Sequence, residues 1–295
     1  MSVRRTIIGA TSKPKEEQSN GHSVRPAISK VRFGGLLLAS TFCLWSLSMN
    51  VSPVYAGCCE EGTKEVFIEH IEEYTATGNT DLPGCADTTQ GLYEEFGDAG
   101  GWSRTWYADF DAWESDWKKT SLSGGEDATW ADARDFGYFC GHGNVGRVRF
   151  TTNNTDQRLW NTDTGFADVD LEWVTFDTSN TLQVQPGAAE LDTWYLNAFQ
   201  GLHLLIGWHD SPLDGDTGGE FADEMIDWGF WDGGGKKITT AWFSSSGGCT
   251  DQDDGTTQVV MAENLVHYDD YVHGQGSVAA DAAPDGNYWI WSHDC

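Results

Sequence analysis

Basic residues are scarce in this chain. Lys plus Arg number 17 against 46 Asp plus Glu in 295 residues, a formal net charge of −29. A nucleic-acid binder needs a basic footprint to neutralise phosphates, so that class is excluded. The 35 glycines follow no fixed period and no heptads run on, which removes collagen-like and coiled-coil architectures. No CxxC pair and no Cys/His ladder supports structural zinc. Internal repeats and long linkers are also absent. Aromatic residues, by contrast, are plentiful: 15 Trp, 14 Phe and 9 Tyr give material for a core and set the chain apart from disordered acidic sequences. A globular, acidic protein of one large or two small domains remains.

The acidity is unevenly placed. Residues 1–56 hold seven basic residues (Arg4, Arg5, Lys13, Lys15, Arg25, Lys30 and Arg32) and two acids, Glu16 and Glu17. Subtraction leaves 10 basic and 44 acidic residues in 57–295, a net −34. An apolar run over 34–49 follows Lys30 and Arg32, and Pro53, Val54 and Ala56 close it. This predicts a secretory signal peptide cleaved after Ala56 and no membrane span in the mature chain. The run is short and poorly flanked for a spanning helix, so a membrane anchor is the lesser alternative. Tyr55-Ala56-Gly57-Cys58 faintly resembles a lipoprotein box, with Tyr where an aliphatic residue is usual; lipid attachment at Cys58 is a second such alternative. Beyond the leader remain Cys58, Cys59, Cys85, Cys140, Cys249 and Cys295, an even count suited to an oxidising compartment. Six cysteines allow about 15 pairings, among which sequence does not choose. The dispersed acids and the five Lys and five Arg of the mature chain suit a protein kept soluble in high salt.

Short apolar runs bounded by turn residues predict strands at 65–71, 136–140, 173–176, 202–208 and 238–243, the pattern of strands buried on both faces. Helices are expected over 111–119, 191–199 and 258–272, the last stopping at Gly274. The first of these continues an aromatic series, Trp102, Trp106, Phe110, Trp113 and Trp117, at steps of three and four. Such alternation predicts a single α/β domain over 57–295 with a mostly parallel sheet flanked by helices.

Sites in open parallel sheets gather at the carboxyl ends of strands. Three of the expected strands end in Cys140-Gly141-His142-Gly143, Asp177-Thr178-Ser179-Asn180 and His209-Asp210-Ser211. A strand ending in Gly-His-Gly followed by one ending in Asp-x-nucleophile resembles the caspase, metacaspase and gingipain group of cysteine peptidases. Trp113-Glu114-Ser115-Asp116, the Asp132…Asp135 approach and Asn197–Gly207 are similar to an uncharacterised exported domain family within that fold group, a resemblance that spans roughly residues 64–280.

The resemblance implies a caspase-like fold, with His142 as general acid/base and Gly143 N–H as part of an oxyanion hole completed by Ser179 N–H. Ser179 stands where the group has its nucleophilic Cys. A thiol is partly ionised near neutrality, whereas a Ser hydroxyl needs a base in direct contact, itself oriented by a third group. Asp177 and Asp210 are the candidates for that group, with His209 beside Asp210 as a further supporting residue. Two expectations stand side by side. Either His142 and Ser179 form a peptidase-type dyad acting on a peptide or protein, or the site is degenerate and binds a peptide or carbohydrate. Cys140, two residues before His142, is a third nucleophile candidate, set against a buried or disulfide-bonded cysteine.

Other features carry plainer expectations. Asp210, Asp214, Asp216 and Glu220 form an oxygen-rich loop suited to calcium, with a solvated acidic loop as the alternative; no other cofactor or metal is expected. The Trp102–Trp117 series reads as core or as a sugar-stacking platform. On a helix, steps of three and six would make His267, Asp270 and His273 diverge, which argues against a metal trio there. His203, inside an apolar run, reads as a hydrogen-bonded core histidine. Oligomeric state is left open.

Overall fold

The computed structural model describes residues 4–9, 62–74, 77–151, 156–184, 189–212, 215–226, 234–245, 256–281 and 286–294. They belong to one compact unit, Met1–Ala10 with Tyr55–Cys295; a separate unit, Thr11–Val54, lies outside the described residues. The expected cleavage point at Ala56, the apolar run before it, Cys58, Cys59, Cys249 and Cys295 also fall outside them. No helix among the described residues is long and apolar enough to cross a membrane.

A mixed α/β architecture results. Its strands are β1 (Arg4–Gly9), β2 (Lys64–His70), β3 (Trp102–Ala108), β4 (Phe136–Gly141), β8 (Trp173–Thr178), β9 (Leu204–Trp208), β10 (Thr257–Ala262) and β11 (Asn287–Asp294). The eight run in the order β1-β11-β10-β9-β8-β4-β2-β3. From β9 to β3 every pairing is parallel, while β10 and β11 are antiparallel additions and β1, placed by sequence within the leader, pairs antiparallel with β11. A small antiparallel sheet, β5 (Gly143–Asn144), β6 (Arg147–Arg149) and β7 (Arg158–Trp160), leaves directly from the end of β4.

Period-two alternation puts the central strands' side chains into two cores. Phe67, Phe139, Val174, Phe176 and Leu205 face one side, and Val66, Ile68, Phe136, Tyr138, Trp173, Leu204 and Ile206 the other. Helices α1 (Gly84–Asp98), α3 (Thr217–Met225) and α4 (Ile238–Ser244) cover the second face, and α2 (Ala189–Ala198) the first. Sheet coverage on both faces is why the central strands read as continuous apolar runs. Helices α1 and α3 approach closely, since a Cβ on Gly91 would lie 2.9 Å from the Gly219 Cα.

Four of the five expected strands and the 191–199 helix form as the sequence predicts, to within two or three residues at each end. Three expectations are corrected. Residues 238–243 form helix α4, whose Trp242 packs between Trp208 and Phe221, so burial on one face decides a run whose β-branched residues favour a strand. Gln258–Ala262 is strand, held on both edges by β9 and β11, and only Leu265–Asp269 after it is helical, as a 3₁₀ turn. Residues 111–119 do not form an α-helix: 3₁₀ turns at Asp109–Asp111 and Glu114–Asp116 follow β3. The aromatic series therefore splits. Trp102 and Trp106 lie four residues apart on β3 and pack on Phe96 and Tyr93 of α1, while Trp117 is fully buried against Phe67 and Phe176 in the other core. A continuous sugar-stacking surface is not built.

Candidate active site at the carboxyl end of the sheet

In chain order the five parallel strands lie 2-1-3-4-5, a doubly wound arrangement whose switch point falls between β2 and β4. Here chain connections leave in opposite directions and open a crevice outside the strand ends. The loop after β2 supplies Tyr74 and Thr80, and the end of β4 supplies His142, which meets both.

Register aligns the two key residues. Cys140 pairs with Asp177 and Gly141 with Thr178, the last pair of the ladder, and His142 and Ser179 are the next residue of each segment. Contact at this point is tight, because a Cβ on Gly143 would stand 2.6 Å from the Ser179 carbonyl oxygen and equally close to the Thr178 and Thr181 hydroxyls. Glycine is what lets the two strand ends meet. Gly143 also faces Val148 across the β5–β6 hairpin, one step from the hydrogen-bonded pairing in which Arg149 N–H donates to the His142 carbonyl at 2.9 Å. Antiparallel alternation gives Gly143 the non-hydrogen-bonded position, which keeps its N–H out of the ladder. Tyr74 bridges the next gap: its hydroxyl receives the His142 N–H at 2.8 Å and donates to the Arg149 carbonyl at 2.9 Å.

The His142 ring packs on Tyr74 at 4.4 Å, tilted by 56°, and its Nε2 lies 2.7 Å from the Thr80 carbonyl oxygen. A carbonyl only accepts, so Nε2 carries the proton and Nδ1 keeps the lone pair. The orienting group that sequence left open between Asp177 and Asp210 is thus a backbone carbonyl. Asp177 is committed elsewhere, accepting from Tyr138 OH at 2.8 Å and Trp208 Nε1 at 2.7 Å. Asp210 faces His209 at 3.7 Å, and the His209 Nδ1 accepts the Val184 N–H at 2.6 Å. Both belong to the wall around the Ser179 turn, where Asn180 adopts φ 59° and its N–H donates to the Asp210 carbonyl. Asn tolerates this left-handed conformation better than most residues. No hydrogen bond joins Ser179 to His142 among the described residues.

Cys140 follows the disulfide alternative and not the nucleophile one: it is bonded to Cys85 of α1, which leaves no thiolate there. The bond floors a small, solvent-open cleft lined by Leu82, Asp177, Ser179, Pro212 and Gly215, a lining that does not include His142. In the expected calcium loop, Asp216 caps α3, accepting the Gly219 N–H at 3.1 Å, and Glu220 lies in the same first turn. Asp214 lies outside the described residues.

Residues that carried the family resemblance have structural roles. Glu114 is buried and pairs with Lys118 at 3.1 Å. Asp132 accepts the backbone N–H groups of Ala167 and Val169, and burial pushes its carboxyl up to about 10. Asp116 lies by the buried Glu69, whose carboxylate accepts the Trp117 indole N–H at 2.6 Å; burial raises Asp116 to about 6 and Glu69 well above the usual carboxylate range.

A second polar cluster sits at the opposite end of the same sheet, and sequence reasoning missed it. Phe136, Trp173 and Leu204 are in register, so the residues before them, Asp135, Glu172 and His203, form a row across three strand starts. His203 Nδ1 lies 2.8 Å from Asp270 Oδ2 and its Nε2 lies 3.1 Å from Asp281 Oδ1. The His267 ring stacks on His203 at 3.8 Å, with Nδ1 3.5 Å from the same Asp270 oxygen. His203, His267 and Asp270 are all buried. Burial works against protonation of His203, but the two carboxylates outweigh it and hold it up at about 9. His267 is pushed down, chiefly by burial; Asp270 falls below the usual carboxylate range because its hydrogen bond to His203 and the nearby His267 ring overcome its burial. His273 approaches Glu172 at 3.5 Å and Asp135 at 3.8 Å nearby. Each strand start carries an ionisable residue directly before an apolar run, a signal that was present in the sequence.

The architecture and cleft define a doubly wound α/β domain with its candidate site at the strand carboxyl ends. The chain belongs to the family described as Domain of unknown function (DUF6345), which it matches over residues 68–293, from within β2 to within β11. No curated protein matches it.

Proposed function

We propose that the protein is an exported, caspase/gingipain-like hydrolase whose carboxyl-end cleft performs serine-based acyl transfer on a peptide or other amide. Ser179 is the nucleophile, His142 Nδ1 takes its proton, and the N–H groups of Gly143 and Ser179 receive the oxyanion. One observation carries this reading: the Thr80 carbonyl fixes the His142 tautomer that leaves Nδ1 free, and His142 and Ser179 each follow the last registered pair of β4 and β8, Gly141 and Thr178. In this reading base, orienter and nucleophile come from three separate segments. The missing Ser179–His142 hydrogen bond does not oppose it, since such contacts tighten on substrate binding.

A second reading, a binding protein on the same scaffold, is favoured by the neutrality of the orienter. A carbonyl orients an imidazole but stabilises an imidazolium less than a carboxylate does, which suits a thiol nucleophile better than a hydroxyl. A serine-reactive fluorophosphonate separates the two. Wild type labelled, with Ser179→Ala and His142→Ala unlabelled, is expected for the hydrolase; an unlabelled wild type overturns it. Ser179→Cys then distinguishes a degenerate site, which would gain thiol-dependent amide hydrolysis, from a cleft that was never built for acyl transfer.

A further inference from the structure

We infer that His203, His267 and Asp270 form a binding site for one divalent transition-metal ion of the zinc class at the amino end of the sheet. The inference is independent of the acyl-transfer reading, because the residues lie at the opposite ends of the strands.

Three observations support it. First, the donor atoms converge. His203 Nδ1 and His267 Nδ1 stand 2.8 and 3.5 Å from the shared focus, Asp270 Oδ2. The ligand atoms of the trio all lie within 4.8 Å of one another. A tetrahedral ion with bonds of about 2.0–2.1 Å separates its ligands by about 3.4 Å, which falls within this spread. Second, His267 lacks hydrogen bonds. It is fully buried, and among the described residues neither ring nitrogen has a hydrogen-bond partner. A structural relay Asp281–His203–Asp270 accounts for His203 and leaves His267 unexplained, whereas a metal ion employs it. Third, an outer layer is already in place. Asp281 Oδ1 meets the far nitrogen of His203 at 3.1 Å, and the Ala279 N–H donates to the other Asp270 oxygen at 2.7 Å. Carboxylate-to-histidine and amide-to-carboxylate contacts of this kind orient metal ligands.

Two imidazoles with one carboxylate select against calcium and magnesium, which take oxygen ligands, and favour zinc or a similar ion with a vacant position for water. The ligands come from separate segments. His203 immediately precedes β9, His267 sits in the 3₁₀ turn after β10, and Asp270 ends that turn. Antiparallel pairing of Ala262 with Leu204 brings these segments to the same end of the sheet.

The test uses the full-length protein, stripped with a chelator and titrated with Co²⁺ by visible absorption and with Zn²⁺ by calorimetry. One equivalent of each ion is expected, with a cobalt spectrum typical of nitrogen and oxygen donors. Asp281→Asn should weaken zinc ten- to a hundredfold. His267→Ala should abolish stoichiometric binding, with His267→Gln, checked for folding by circular dichroism, as the substitute if the alanine variant does not fold. His273→Ala should retain the ion. A wild type that takes up neither ion overturns the inference, as does undiminished binding in a folded His267 variant. Loss of binding in His273→Ala but not in His267→Ala would move the site to Asp135, Glu172 and His273 and equally overturn the assignment.

Discussion

The two ends of one sheet treat histidine differently. At the carboxyl end His142 is half-buried, packed against Tyr74 and tied to a single neutral carbonyl. At the amino end His203 is buried between two carboxylates and stacked on another histidine. A lightly tethered, half-buried imidazole keeps a nitrogen for chemistry. An imidazole enclosed by charge is committed to a network, because a buried charge is stable only when it is paired. Strand register creates both settings: at one end it aligns the residues that follow β4 and β8, and at the other those that precede β4, β8 and β9.

Paired substitutions sharpen this contrast most. In metal-free protein, His203→Ala strands the buried Asp270 carboxylate and should cost about 3–5 kcal/mol in urea unfolding. His142→Ala removes a half-buried ring and should cost about 1 kcal/mol or less. Equal losses at the two positions would break the comparison.

The disulfide gives the next largest effect. Cys85 and Cys140 are 55 residues apart in sequence, and a loop of that length contributes about 4 kcal/mol through the unfolded chain. Replacing both by Ala should lower unfolding stability by about that amount and loosen the cleft floor at the carboxyl end. The amino-end cluster should persist, seen as unchanged cobalt uptake by the folded variant.

Carboxyl groups extend the contrast to pH. Asp270 faces His203, whereas Asp116 lies beside Glu69 without a cation, and burial raises it to about 6. A folded pKa above the unfolded value of about 3.9 favours the protonated form. Its contribution is therefore full below the unfolded value and is lost as pH rises through about 6. A shift of this size corresponds to about 2–3 kcal/mol between pH 4 and pH 7.5. Thermal unfolding followed across that range should show the decline in wild type, and Asp116→Asn should flatten it. An identical slope in the variant would place the titration elsewhere.

Much of the parallel core is legible in sequence. Strands β2, β4, β8 and β9 are short apolar runs closed by turn residues, and their polar ends mark His142 and Ser179. Residues 238–243 and 258–262 exchange identities, strand for helix, because a short apolar run does not distinguish a buried helix from a buried strand. The aromatic steps of three and four imitate a helix only because they cross from strand β3 into two 3₁₀ turns. Helical angles argue against a site at His267 and Asp270, but the chain there is a 3₁₀ turn followed by extended backbone, and their partner His203 comes from a distant strand start.

By itself the sequence determined the charge imbalance, the alternation that buries the sheet on both faces and the local chemistry at each strand end. These depend on residues close together in the chain, where periodicity and turn propensity act directly. Tertiary structure alone decided that Thr80 orients His142, that Cys140 pairs with Cys85, and that His203 meets His267 and Asp270. Each is a contact between distant segments, fixed by strand register and helix packing, and no local pattern encodes which partner arrives.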